Sequence, residues 1–204
     1  MKPIVAILAV GLVALLWAAP SQGATASSAG GFLTITGGPG ESNEIEVSYS
    51  PTVPQYQVVD VFSRITAGTG CVPTLSGAAV CSPVGVARIV VDAGDGADIV
   101  DLLLENAPGA IPATVRGGRG SDLLFGSTGA DALVGGAGSD VMTGRGGNDE
   151  LFGGKGSDVF SGGVGLDRLF AADGRRDRKL SCGPGSNRRE RAKLDRRDPK
   201  PKSC

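Results

Sequence analysis

Between Gly117 and Phe170 the chain reads GGRGSDLLF, GSTGADALV, GGAGSDVMT, GRGGNDELF, GGKGSDVFS and GGVGLDRLF, six blocks of nine residues that follow one another without a gap. Position 6 is aspartate in every block: Asp122, Asp131, Asp140, Asp149, Asp158 and Asp167. Position 8 is large and apolar: Leu124, Leu133, Met142, Leu151, Phe160 and Leu169. Positions 1 and 4 are glycine throughout, as Gly117 and Gly120, Gly126 and Gly129, Gly135 and Gly138, Gly144 and Gly147, Gly153 and Gly156, Gly162 and Gly165. A period of nine with an acid and an apolar residue each held in place marks a structural repeat. A flexible or collagen-like tract would carry neither.

The spacing assigns each position a task. Positions 7 to 9 form a short strand whose middle residue points inward. Two blocks make one coil, so Leu124, Met142 and Phe160 line one inner face and Leu133, Leu151 and Leu169 the other. The glycine turns then stack in two columns, with Asp122, Asp140 and Asp158 on one edge and Asp131, Asp149 and Asp167 on the opposite edge. Glycine permits positive φ and lets a turn curl its carbonyls inward. Carboxylates and carbonyls are the hard oxygens that Ca2+ takes, six to eight at a time. Calcium sites are expected between 122 and 140, 140 and 158, 131 and 149, and 149 and 167.

Working outward, AGDGADIVD from Ala93 to Asp101 is a degenerate earlier unit with Asp95 and Asp98 as further candidate ligands. Leu102 to Arg116, containing the strand-like Ile111 to Val115, completes one more coil with an altered turn. Before it, residues 27–92 read as short strands between turns: Phe32 to Thr36, Glu44 to Tyr49, Tyr56 to Phe62 and Val86 to Val91, with Gly37-Gly38-Pro39-Gly40 as a turn. Helical periodicity is absent throughout. The expected organisation is a leader over 1–26, a β-rich segment over 27–92, a degenerate coil over 93–116, the six repeats over 117–170 and a basic cap over 171–204.

The leader reading rests on Lys2, the apolar run Ile4 to Trp17, and small residues ending Ala24-Thr25-Ala26, an A-x-A cleavage pattern. That run falls short of the roughly 20 apolar residues a membrane span needs. Secretion would expose Cys71, Cys81, Cys182 and Cys204 to an oxidising compartment, where three pairings are open. Short loops favour Cys71 with Cys81 and Cys182 with Cys204.

The net charge of −1 conceals a division: 7 basic and 16 acidic residues over 27–172, against 12 basic and 5 acidic over 173–204. An acidic body draws cations, and the basic tail reads as a solvated cap rather than a nucleic-acid arm. The chain has no histidine, which excludes a Ser-His-Asp triad and an HExxH zinc site.

The block G-G-x-G-x-D-x-U-x resembles the RTX, or haemolysin-type, calcium-binding repeat. The resemblance is close over Gly117 to Phe170 and loose over Ala93 to Asp101. It implies a right-handed parallel β-roll with calcium held by aspartates and turn carbonyls. With its N-terminal leader and its Cys71 to Cys81 loop, the chain is most similar to the small secreted members of actinobacterial type. Ser127 and Arg145 depart from the pattern at position 2, where glycine is expected, and weaker binding is expected in those two turns. The function this implies is extracellular calcium binding coupled to folding, in a structural or adhesive module without catalysis. Self-association or cell-surface contact would use the outer stripes Val134, Phe152, Phe170 and Leu123, Val141, Val159. The rival is a secreted hydrolase of polysaccharide or protein that uses the roll as a folding aid.

Overall fold

The computed structural model describes residues 23–171, 173–183, 191–194 and 196–200, and the side chains of 191–193 are outside that description. Among the described residues the protein is all β, with no helix. No helix there is long and apolar enough to cross a membrane.

The chain begins with β1 (Thr25–Ala29) and β2 (Phe32–Thr36), an antiparallel pair turned at Gly30 and Gly31. β3 (Glu44–Ser50), β4 (Gln55–Asp60), β5 (Thr66–Ala67), β6 (Cys71–Pro73) and β7 (Ala79–Cys81) follow. They close that end of the molecule with antiparallel pairings of β3 with β4, β4 with β7, and β6 with β7.

From β8 (Arg88–Asp95) onward the strands alternate between two sheets: β9 (Ile99–Leu103), β10 (Ala113–Arg119), β11 (Leu123–Phe125), β12 (Ala132–Ala137), β13 (Val141–Gly146), β14 (Glu150–Lys155), β15 (Val159–Val164), β16 (Arg168–Phe170), β17 (Lys179–Ser181) and β18 (Arg191–Lys193). The sheet orders are β18-β16-β14-β12-β10-β8-β2-β1-β5 and β17-β15-β13-β11-β9-β3-β4-β7-β6. Every pairing from β8 onward is parallel, so the coils stack into a β-solenoid of the roll type.

Register follows the nonapeptide. Leu133 pairs with Leu151 and Leu151 with Leu169, while Leu124 pairs with Met142 and Met142 with Phe160. All six position 8 side chains are fully buried, each on the inner face expected of it. The strands run longer than positions 7 to 9. β12, for example, continues through Gly135 and Gly136 to Ala137, because its pairing with the neighbouring coils persists over the first glycines of the next block.

The N-terminal segment is not a separate unit. β2 pairs in parallel with β8, and β3 with β9, so Leu33, Ile35, Ile45 and Val47 extend the core of the roll. The boundary expected at residue 92 falls inside β8. The tail likewise adds β17 and β18 as further strands of the stack. The expected leader boundary after Ala26 cuts through β1, where Ala24 and Ala26 are buried in the core. A boundary that leaves β1 whole lies before Thr25.

Cys71 and Cys81 form a disulfide. Cys182 is disulfide-bonded; the pairing expected for it involves Cys204, which lies outside the described residues.

Candidate functional site

The position 6 aspartates form two ladders along the edges of the roll, and each carboxylate is divided between two tasks. One oxygen ties coils together. The amide of Asp98 donates to Asp122 Oδ1 (2.9 Å), Asp122 N to Asp140 Oδ1 (2.9 Å), and Asp140 N to Asp158 Oδ1 (2.9 Å). On the other edge Ala113 N donates to Asp131 Oδ1 (2.7 Å), Asp131 N to Asp149 Oδ1 (2.8 Å), and Asp149 N to Asp167 Oδ1 (2.9 Å).

The second oxygen is the unusual one. Oδ2 of Asp98, Asp122, Asp140, Asp149, Asp167 and Asp177 is buried without any hydrogen-bond partner. Buried polar atoms without partners are few in folded proteins, because each forfeits its hydration. Six such oxygens stand along the two edges of the roll.

Position 1 glycine makes the room. A Cβ on Gly117 would overlap Asp122 Oδ2 and come within 2.8 Å of the Gly135 carbonyl oxygen. Gly135 is backed in the same way by Asp140 Oδ2 and, at 2.7 Å, by the Gly153 carbonyl. On the other edge Gly126 is backed by Asp131 Oδ2 and the Gly144 carbonyl, Gly144 by Asp149 Oδ2 and the Gly162 carbonyl, and Gly162 by Asp167 Oδ2 and the Cys182 carbonyl. Asp158 Oδ2 lies against Gly153. Except at Gly153, where the Phe160 ring is the other near neighbour, each cradle offers one carboxylate oxygen and one main-chain carbonyl from the next coil.

Position 4 serves the stacking itself. A Cβ on Gly138 (φ 150°) would run into the Gly120 carbonyl, and one on Gly156 into that of Gly138. Gly129 and Gly147 are packed in the same way against the Ile111 and Gly129 carbonyls.

Burial moves the acids. It pushes the Asp122 and Asp140 carboxyls up to about 6, with like charge from the neighbouring aspartates adding to the rise. It pushes Asp149 up to about 8, reinforced by Asp131 and Asp167, and Asp177 up to about 7, reinforced by Asp158, Asp198 and Asp173. Asp98, Asp131, Asp158 and Asp167 shift in the same direction, again through burial first. In every case burial disfavours the charged form of the carboxyl.

Among the described residues no group of three or more acidic, cysteine or histidine side chains comes together to hold a metal. The ladder supplies its acids one per turn, so the remaining donors are main-chain carbonyls. An all-oxygen set of this kind, mixing carboxylate and carbonyl, suits calcium and offers nothing to a thiophilic metal.

Residues 114–142 and 143–175 match the family model for the RTX calcium-binding nonapeptide repeat (4 copies). The chain carries RTX repeats. The two matched stretches span less than a third of the sequence. No curated protein and no solved structure matches the chain.

Measured against the RTX pattern, the expected site residues sort into three groups. Asp122, Asp140, Asp149, Asp158 and Asp167 stand in their columns as expected, and Asp98 joins the first column as the position 6 residue of its unit. Asp95 does not join it: it sits at position 3, pointing outward and 3.7 Å from Arg119 in an exposed ion pair. Asp131 is in register, yet its second oxygen is already occupied, by the Ser127 amide (2.6 Å) and hydroxyl (3.0 Å).

The first column is also longer than the repeats. Asn43 N donates to Asp98 Oδ1 (2.7 Å) at one end, and at the other Asp158 N donates to Asp177 Oδ1 (2.8 Å) and Asp177 N to Asp198 Oδ1 (3.2 Å). The signals were present but out of phase. Asn43 follows Gly37-Gly38-Pro39-Gly40 with one residue too many, and Asp177 comes 19 residues after Asp158 where the repeat uses 18. Nothing in the sequence marks Asp198.

Proposed function

We propose that this protein is a secreted calcium-binding module, without catalysis of its own, whose repeats complete their folding when calcium enters the aspartate columns. The observation that carries the reading is the row of buried, partnerless Oδ2 atoms, of which those of Asp122, Asp140, Asp149 and Asp167 each face a main-chain carbonyl across a glycine. Asp98, Asp122, Asp140, Asp149, Asp167 and Asp177 would hold the ions with the carbonyls of position 1. Calcium supplies there the positive charge that replaces lost hydration and offsets repulsion between successive carboxylates. Extracellular calcium modules bind with dissociation constants on the order of 10⁻⁴ to 10⁻³ M, which places folding after export. The leader-like Ile4 to Trp17 run and the disulfide support an oxidising, calcium-rich destination.

The test is a calcium titration of the mature chain followed by far-UV circular dichroism, with magnesium as the control. A gain of β signal with calcium and not with magnesium is the expected result, and an unchanged spectrum would remove the coupling of folding to binding.

Contact with a second copy or a cell surface belongs to the same reading. It is supported by the outer stripes: Val134, Phe152 and Phe170 are half-buried and laddered, and the last two rings stack at 4.3 Å and 5°. A calcium-dependent larger species on a sizing column is expected; a strict monomer at high concentration counts against it. The competing hydrolase reading predicts turnover in a screen of glycans and proteins, where this module should give none.

A further inference from the structure

The two departures from the RTX pattern fall in consecutive turns of one column. Ser127 occupies position 2 of the turn ending at Asp131, and Arg145 position 2 of the next, ending at Asp149. The structure shows what the pair does. Ser127 closes its own turn: its amide and hydroxyl both donate to Asp131 Oδ2, and the hydroxyl accepts the Gly129 amide (3.0 Å). Asp131 Oδ1 takes the Ala113 amide, so both Asp131 oxygens already have partners. It is absent from the set of partnerless aspartates.

Arg145 supplies the charge. It is the one non-glycine residue with positive φ (74°) among the described residues, and that backbone turns its side chain back along the column. Nη1 donates to the Leu102 carbonyl (2.9 Å) and the Gly126 carbonyl (3.0 Å). Nη2 lies 2.6 Å from Asp101 Oδ1, and the guanidinium sits 5.2 Å above the Phe125 ring. Leu102 and Gly126 are the position 1 residues of their coils. Their carbonyls correspond to those that face an orphaned carboxylate elsewhere in the roll. A delocalised cation on a planar fork thus binds a carboxylate and two coil carbonyls, the donor types a calcium ion would use.

We propose that Ser127 and Arg145 together take the place of a calcium ion in the first turn of the second column, so that this turn is closed without metal. This inference rests on the calcium reading above and deepens it: metal enters the second column only from Asp149 onward. A parallel exists in the first column, which begins at Asn43 rather than at an aspartate. The Asn43 side-chain Nδ2 donates to the Ala93 carbonyl (3.0 Å), the position 1 oxygen of the next coil, and its Oδ1 accepts the Gly38 amide (3.2 Å).

The experiment is a count of calcium bound per chain at saturation by equilibrium dialysis, with circular dichroism to show that each variant is folded. The double variant Ser127→Gly with Arg145→Gly restores the nonapeptide and frees Asp131, Asp101 and two carbonyls. It should bind one ion more than the wild type. Asp131→Asn should leave the wild-type count unchanged, whereas Asp149→Asn should lower it by one. A loss of one ion in Asp131→Asn, or a folded double variant with the wild-type count, overturns the proposal. Should the double variant fail to fold, Asp131→Asn decides alone. A wild type that binds no calcium overturns the parent reading, and this inference with it.

Discussion

The two ends of the roll solve the same stacking problem with different materials. In the coils before residue 116 the inner positions are filled in pairs: Leu33 with Ile35, Ile45 with Val47, Ile89 with Val91, and Val100 with Leu102, all fully or almost fully buried. In the repeats each strand contributes one large side chain and then a glycine, as in Leu133 with Gly135 or Leu151 with Gly153. The second aliphatic residue has been exchanged for space, and an aspartate oxygen stands in that space. The first region is held by apolar burial and a disulfide. The second carries unpaired buried carboxylates, each of which forfeits its hydration.

Calcium removal should therefore separate the two regions, and this is the largest effect expected. With chelator, hydrogen exchange should become fast in β12 to β17 while amides of β2, β3 and β8 stay protected. Each ion held at a hundred times its dissociation constant adds about 2.7 kcal/mol, so losing several exceeds the margin of an ordinary domain. Uniform exchange across both regions would break the comparison.

The disulfide probes the other side. Cys71→Ser with Cys81→Ser opens a loop with a sequence separation of 10 and should destabilise the N-terminal coils by roughly 3 kcal/mol in denaturant melts. The calcium count should not change, and a loss of ions would show that the regions are coupled more tightly than their cores imply.

Asp140→Asn sharpens the division of labour within one side chain. The amide oxygen can still accept the Asp122 N–H, so the ladder persists, while the charge is lost. The calcium-loaded protein should lose about 2 to 3 kcal/mol, the contribution of one well-filled site, and the calcium-free protein should not be weakened. Asp140→Ala should weaken both forms.

The smallest effect is in pH. The repeat aspartates have folded-state values above those of the unfolded chain, so the calcium-free roll binds more protons than the unfolded state. Its stability is greatest below about pH 4 and declines as pH rises through about 6 for Asp122 and Asp140 and about 8 for Asp149. Calcium competes with those protons, so its affinity should rise from pH 5.5 to pH 8, by up to tenfold per unit at a site governed by one acid. Isothermal titration at the two pH values checks this. A pH-independent affinity would mean that the acids are ionised before calcium binds.

The period of nine, read from the sequence, determined the parallel roll, the two columns and the six inner residues Leu124, Leu133, Met142, Leu151, Phe160 and Leu169. Each of these depends on residues repeating in phase with the backbone, and phase is a property of sequence. The tertiary structure decided what breaks phase. The step from Asp98 to Asp122 is 24 residues, that from Asn43 to Asp98 is 55, and that from Asp177 to Asp198 is 21, yet all stand in one column. A loop of any length can leave a coil and return to the same stacking position, so contact along the column is fixed by geometry and not by count. Asp95 and Asp131 show the converse. Both lie inside recognisable units, but one points outward to Arg119, and the other has its second oxygen closed by Ser127, two outcomes set by neighbours that spacing does not encode.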